Sequence, residues 1–267
     1  MRSPEVETVH WNPRIPVVAG RIGKFVPIRR RAQNFGDLLG PIVVEGLRPQ
    51  VPPPARRRLV AVGSILHLAE DGDVVWGTGR NGKIPVDRHT FHSLDVRAVR
   101  GPLTRDFLLG RGIEVPETYG DPGLLIPFVM PELSQPRVRS GVTVIMNFND
   151  ARERSVPGSN IPSQIRVLSA RSPVKTCLRA ISESEFVIGS SLHAIVVADA
   201  LGIPARLVRS SREPLFKYED YFSGTRRDLS FAATIGDALR MGPHEPLTFD
   251  LSELLDSFPR DLWTLDG

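Results

Sequence analysis

The sequence contains almost no cysteine and little lysine. One cysteine, Cys177, stands among 267 residues, which excludes an internal disulfide framework or a cysteine-based metal cluster and fits a reducing compartment. Cys177 itself reads as a small core residue. No run of about eighteen apolar residues occurs, so no membrane-spanning helix is expected. Met1 to Thr8 lacks the basic-then-apolar order of a secretory signal, and the expectation is a cytoplasmic protein. His67, His89 and His92 lie near Asp87 and Asp95 without metal-ligand spacing, and no His-Glu-x-x-His string or acidic calcium loop is present. Neither a metal nor a cofactor is expected.

Only four of the 34 basic residues are lysines: Lys24, Lys83, Lys175 and Lys217. Codon usage accounts for an arginine bias at most positions. At a crevice the choice has chemical meaning, because a guanidinium fork grips carboxylate or phosphate at two points. The runs Arg29–Arg31 and Arg56–Arg58 have no interleaved aromatics and read as solvated loop charge, so no nucleic-acid partner is expected.

The hydrophobic content is 41%, enough for a sizeable core and two modest domains. Strand patterns run over Val6–Trp11, Leu59–Val62, Asp73–Trp76, Val142–Asn147, Ile165–Leu168 and Ala205–Val208, with helices opening near Asn34 and Val174. Arg48 to Arg58 is a proline-rich linker, and Pro131 to Ser140 separates two halves. The fold class is α/β, with the alternation wrapping twice, into a domain over residues 1–135 and another over 136–267. Ligands in such sheets lie outside the carboxyl ends of the strands, where Gly63-Ser64 and Gly77-Thr78-Gly79 fall.

Two junctions carry the chemistry. In the first, a strand through Val96 and Ala98 ends at Arg100, and Gly101-Pro102 turns the chain into a helix with proline at its first position. Arg100 should face a crevice. In the second, the strand Phe186 to Ile188 passes through Gly189-Ser190-Ser191 into a helix closed by Gly202. His193 then sits in the first helical turn, where free N–H groups and the positive helix end gather an anion beside an imidazole.

The strings Asn34-Phe-Gly-Asp37, Val60-Ala-Val-Gly-Ser64, Trp76-Gly-Thr-Gly79, Val96 to Thr104, Gly120-Asp-Pro-Gly-Leu-Leu125, Ser191-Leu-His-Ala194 and Lys217 to Phe222 resemble the polysaccharide pyruvyltransferase family in order and rough spacing. Together they span about residues 30–222. The resemblance implies two Rossmann-like domains facing a cleft, as in GT-B glycosyltransferases. It also implies transfer of pyruvate from phosphoenolpyruvate onto a sugar, with Arg100 and His193 serving the donor. Forming a ketal on a hydroxyl pair requires protonation of the donor's methylene, attack by the hydroxyls and loss of phosphate.

In that frame Arg100, Ser190, Ser191, His193 and Lys217 are candidates for the donor, in a donor-binding second half, and His193 either contacts the phosphate or acts as the acid. Asn34, Asp37, Gly63, Ser64 and Asp121 are candidates for the acceptor, in the first half. Asp37 fits an acid or base and equally a helix-capping carboxylate. Asp121 also fits a turn, Gly63-Ser64 tight backbone packing, and Lys217-Tyr218 with Tyr221 a surface aromatic corner. The expected partners are phosphoenolpyruvate and a glycan, free or lipid-linked, with peripheral contact at the inner face of the plasma membrane. Two rivals share these features. One is a GT-B glycosyltransferase using a nucleotide sugar, which needs an acidic residue where Arg209, Arg212 and Glu213 stand. The other is a non-catalytic glycan- or anion-binding module.

Overall fold

A computed structural model describes residues 5–16, 29–135, 138–150 and 165–264. Two parallel four-stranded sheets dominate it. The first contains β1 (Val6–Val9), β4 (Arg57–Val60), β5 (Val74–Trp76) and β6 (Asp95–Ala98), in the order β1-β4-β5-β6. A short antiparallel pair, β2 (Arg14–Pro16) with β3 (Arg29–Arg31), leaves it after β1. The second sheet contains β7 (Val142–Met146), β8 (Ile165–Ser169), β9 (Phe186–Gly189) and β10 (Ala205–Leu207), in the order β10-β9-β7-β8. Strands buried on both faces must be apolar throughout, as Val74–Trp76 and Val187–Ile188 are. The mixed α/β architecture with parallel sheets is compatible with a Rossmann-like fold.

The topology of the second sheet creates a crevice. From β7 the chain moves outward to β8, then returns past β7 to β9 and continues to β10 on the other side. The loops after the neighbouring strands β7 and β9 therefore diverge, and the gap between them is where ligands bind in open parallel sheets. In the first sheet the strands advance in one direction, without such a reversal.

The helices are α1 (Leu39–Leu47), α2 (Pro102–Leu109), α3 (Ile126–Val129), α4 (Val174–Ser182), α5 (Leu192–Ala200), α6 (Phe216–Gly224), α7 (Ile235–Met241) and α8 (Ser252–Asp256). Residues Leu192 to Ala198 of α5 are all buried. The helix packs on β9, β10 and α4 of its own half and on the turn Pro122–Leu125 and α3 of the first. One apolar cluster accordingly runs through both halves, from Leu59 and Trp76 through Leu124 and Val196 to Ile145 and Val187. The chain's last helical segment also crosses back. Trp76 Nε1 donates to Leu254 O at 3.0 Å and to Ser257 Oγ at 3.1 Å, and its ring meets Phe258 edge-on at 4.9 Å. Among the described residues no helix is long and apolar enough to cross a membrane.

Several expectations change. Arg57 and Arg58 lie in β4 rather than in a linker, and Arg58 pairs with Glu70 and Asp73. Arg29–Arg31 form a strand, not a loop. Tyr218 and Tyr221 are buried instead of forming a surface corner, because their hydroxyls find Ser190 O and Asp199 Oδ2, both at 2.7 Å. The helix expected from Asn34 starts at Leu39, after a turn.

Trp76→Ala should cost about 3–5 kcal/mol in urea unfolding, and Trp76→Phe, which keeps an apolar ring and loses the hydrogen bonds, roughly 1–2 kcal/mol. An Ala variant as stable as the wild type would show that the indole does not hold the C-terminal segment.

Candidate active site

A cleft of about 310 Å³ opens at the carboxyl ends of both sheets, over the crevice between β7 and β9. Loops from the first half bring Asn34, Asp37 and Ser64 to it, and the second half brings Ser191 from the turn after β9, His193 from the first turn of α5 and Lys217 from the first turn of α6. Six of the expected site residues thus meet in one cavity.

His193 stands at its floor. Ser191 precedes α5 in extended backbone and makes no side-chain capping bond; Ala194 N donates back to Ser191 O at 3.1 Å, so the first-turn N–H groups left uncapped are those of Leu192 and His193. The imidazole is fixed on two sides. A Cβ on Gly36 would fall 2.1 Å from His193 Nδ1, so only glycine lets the backbone lie against the ring. On the other side His193 Nε2 faces Asp121 Oδ2 at 3.6 Å, too long for a hydrogen bond, and both buried atoms are without any other partner among the described residues. Asp121 does not line the cleft. It lies behind His193, fully buried, and its Oδ1 accepts from Gly123 N at 2.9 Å to start the turn Pro122–Leu125. The turn role and the site role are therefore held by different oxygens of one carboxylate.

Asp37 accepts from Asn34 Nδ2 at 2.8 Å and does not cap α1, which begins two residues later. Burial raises its pKa, a trend that His193, the Asn34 bond and Lys217 oppose and Asp121 reinforces. A carboxyl group so raised holds its proton more readily than a solvated aspartate and is suited to proton exchange in the cleft. Gly63 serves as packing at the cleft margin, its carbonyl accepting from Thr78 Oγ1 at 2.8 Å and Gly79 N at 3.0 Å.

Lys217 is buried at the cleft wall and pairs with Glu213 at 2.9 Å, while Lys83 reaches the same carboxylate from the first half at 2.6 Å. Asn149 Nδ2 adds a third bond to it at 2.7 Å. Burial lowers the Lys217 pKa, with Lys83 and Arg100 adding to the effect and Glu213 opposing it. For Glu213 burial acts upward but is outweighed by Lys217, Lys83 and Asn149, and its pKa is lowered. Two of the chain's few lysines thus converge on one carboxylate at the cleft. Sequence reading missed Lys83, Glu213 and Asn149. The polar string Asn147-Phe-Asn-Asp150 at the end of β7 was the available signal, since it occupies the same strand-end position as Ser190-Ser191.

Two expected donor residues lie outside the cleft. Ser190 is fully buried, and its hydroxyl donates to Asp150 Oδ2 at 2.5 Å and accepts from Asn147 N at 2.9 Å, tying the β7 and β9 loops together. Arg100 is fully buried too. Its junction forms as expected, with Gly101 before α2, yet the guanidinium turns inward. Nε donates to Asp220 Oδ2 at 3.0 Å, Nη1 to Ser64 Oγ at 2.6 Å and Nη2 to Arg80 O at 2.8 Å. Thr104 N and Oγ1 complete the shell around Asp220 at 2.9 and 2.6 Å. The cause is the close approach of α6. Its Asp220 carbonyl oxygen lies 1.8 Å from where a Cβ on Gly101 would be, which carries the Asp220 carboxylate within reach of the arginine.

The family model described as polysaccharide pyruvyl transferase matches residues 74–212. The succinoglycan biosynthesis protein ExoV of Rhizobium meliloti (strain 1021) is 27% identical over 198 residues, covering 70% of this chain and 60% of that protein. The uncharacterized protein L143 of Acanthamoeba polyphaga mimivirus is 27% identical over 176 residues, 62% of this chain and 60% of its own length. The chain thus spans about three fifths of each of these curated relatives. No solved structure matches it.

Asp37 also predicts a pH effect on stability. A carboxyl group whose folded pKa lies above its ordinary 3.8 favours folding below that value, and the contribution is lost as pH rises through the folded pKa. Asp37→Asn should therefore be more stable than the wild type near neutral pH, with the gap closing as the pH of the denaturation series falls toward about 4. A constant gap across the series would argue against a raised pKa. Arg100→Ala, which strands a buried carboxylate, should cost about 3–5 kcal/mol. Adding Asp220→Asn should recover part of that loss, and a double variant no more stable than the single would show that the pair is not coupled.

Proposed function

The chain belongs to the polysaccharide pyruvyl transferase family, and on that premise we propose that it moves pyruvate from phosphoenolpyruvate onto a pair of sugar hydroxyls as a ketal, in exopolysaccharide biosynthesis. The observation that carries this reading is the meeting of His193, Asp37 and Lys217 in one cleft. The donor is small and carries two anionic groups, and the cleft provides compact cations together with two groups suited to proton transfer. Both halves line the cleft, as the two domains of a GT-B enzyme do, so donor and acceptor each meet residues of both.

Lys217 and Lys83 neutralise the phosphate and carboxylate, and the uncapped first turn of α5 adds N–H donors. His193, steadied by Asp121, delivers a proton to the methylene carbon, and positive charge develops at the adjacent carbon. A sugar hydroxyl attacks that carbon while Asp37 takes the hydroxyl proton. The second hydroxyl then attacks the same carbon, closing the ketal as the bond from that carbon to the phosphate's bridging oxygen breaks and the second hydroxyl's proton passes to the departing phosphate. Arg100 acts as a positioning residue, holding Ser64 at the cleft margin and adding positive potential behind Lys217. Glu213, the acidic residue that a nucleotide ribose would need, is already bonded by two lysines and Asn149, which favours phosphoenolpyruvate over a nucleotide sugar.

The test is phosphate release from phosphoenolpyruvate with galactosides, glucosides and mannosides as acceptors, alongside calorimetric titration of phosphoenolpyruvate and of nucleotide sugars. His193→Gln should keep the fold and bind phosphoenolpyruvate within a few-fold of wild type, yet lose roughly 100- to 10,000-fold in turnover. A folded Gln variant with normal turnover, or wild-type protein that binds a nucleotide sugar and not phosphoenolpyruvate, would overturn this assignment.

A further inference from the structure

Of the chain's three tryptophans, Trp76 and Trp263 are buried. Trp11 is only partly buried and faces the cleft. It lies just after β1 in the first half and meets Phe148, just after β7 in the second, edge to face at 5.3 Å and 86°. Phe148 is also partly buried and lines the cleft. The Arg171 guanidinium lies 4.1 Å from the Phe148 ring centre, which further fixes that ring. Hydrophobic burial alone gives little reason for this pair, since Trp11 sits at the edge of an apolar cluster of the first half and Phe148 at the edge of the cluster that runs through both halves. What it provides is a rigid apolar wall contributed jointly by the two halves.

Beside this wall stand side-chain amides. Asn34 gives one N–H to Asp37. Asn147 Oδ1 accepts from Asn149 N at 2.9 Å, and its amide nitrogen remains a donor for the cleft that it lines. An amide offers both a donor and an acceptor, as a hydroxyl does. A pyranose has the complementary build, with a face of C–H groups and a rim of hydroxyls. We propose that Trp11 and Phe148 are the platform for a pyranose ring of the acceptor, with Asn34 and Asn147 bonding its hydroxyls. A hydroxyl held by Asn34 is thereby placed next to Asp37, the group assigned to take its proton. This inference rests on the proposed glycan-modifying role of the cleft and names the part of it that the acceptor occupies.

The experiment uses the full chain and three probes: methyl β-D-galactopyranoside, methyl β-D-glucopyranoside and methyl α-D-mannopyranoside. Saturation-transfer NMR should show transfer to the C–H face of at least one of them. Trp11→Ala should weaken that binding by about tenfold, equivalent to about 1.4 kcal/mol, and Trp11→Phe should hold it within about threefold. Asn147→Ala provides a second variant, with a similar loss expected. Circular dichroism and calorimetric affinity for phosphoenolpyruvate should match the wild type in each folded variant. The inference is overturned if no glycoside receives saturation from the wild type, or if folded Trp11→Ala or Asn147→Ala binds the glycoside as the wild type does. Failure of the pyruvyl-transfer reading would look different, with glycoside binding and its loss in Trp11→Ala intact but no phosphate released from phosphoenolpyruvate by the wild type.

Discussion

A helix buried on every side can meet the solvent only at its ends. α5 is such a helix, apolar around its whole circumference from Leu192 to Ala198 apart from His193 near its start. Because it packs against elements of both halves, its position couples the two sheets. Its first turn opens between the loops of β7 and β9, at the point where the second sheet reverses direction. The requirement that this helix be covered along its length therefore also determines where its uncapped N–H groups and the His193 ring come to lie.

Charge behind the cleft is arranged by a similar constraint. Arg100 and Asp220 form an ion pair at 2.9 Å with no exposed atoms, a pairing sustained by the hydrogen bonds of Thr104, Ser64 and the Arg80 carbonyl. Nearer the ligand space, one carboxylate holds two ammonium groups. Lysine suits this second position because its compact charge can shift between two anions by rotation of one bond, whereas a guanidinium fork is bound to one geometry.

The alternation of strands and helices was legible because buried parallel strands are short continuous apolar runs bounded by glycine or proline, as Phe186–Gly189 is. The cleft positions of His193, Asp37 and Ser191 were legible for a related reason: Ser191 follows a strand, His193 opens a helix and Asp37 lies in the turn before one, and such positions gather at one edge of a parallel sheet. Arg100 shows the limit of that reasoning. Its place at a strand end was right, but which way the side chain turns depends on Asp220, 120 residues further on, and on the closeness of α6 that Gly101 permits. Glu213 and Lys83 are likewise 130 residues apart and carry no local pattern. Pairings of this kind arise from tertiary packing and have no periodicity to read.

The docking of the C-terminal segment on Trp76 bears on how the protein is made. The indole and its carbonyl acceptor at Leu254 are 178 residues apart, and at about 5–20 residues per second a ribosome takes roughly 10–40 s to cover that distance. For most of that interval, once β6 has been made, the strands of the first sheet are present while Trp76 lacks its partners from Leu254 onward. A nascent first half therefore offers a holdase chaperone an exposed indole, and the arrival of the Leu254–Phe258 segment, not the first collapse, covers it.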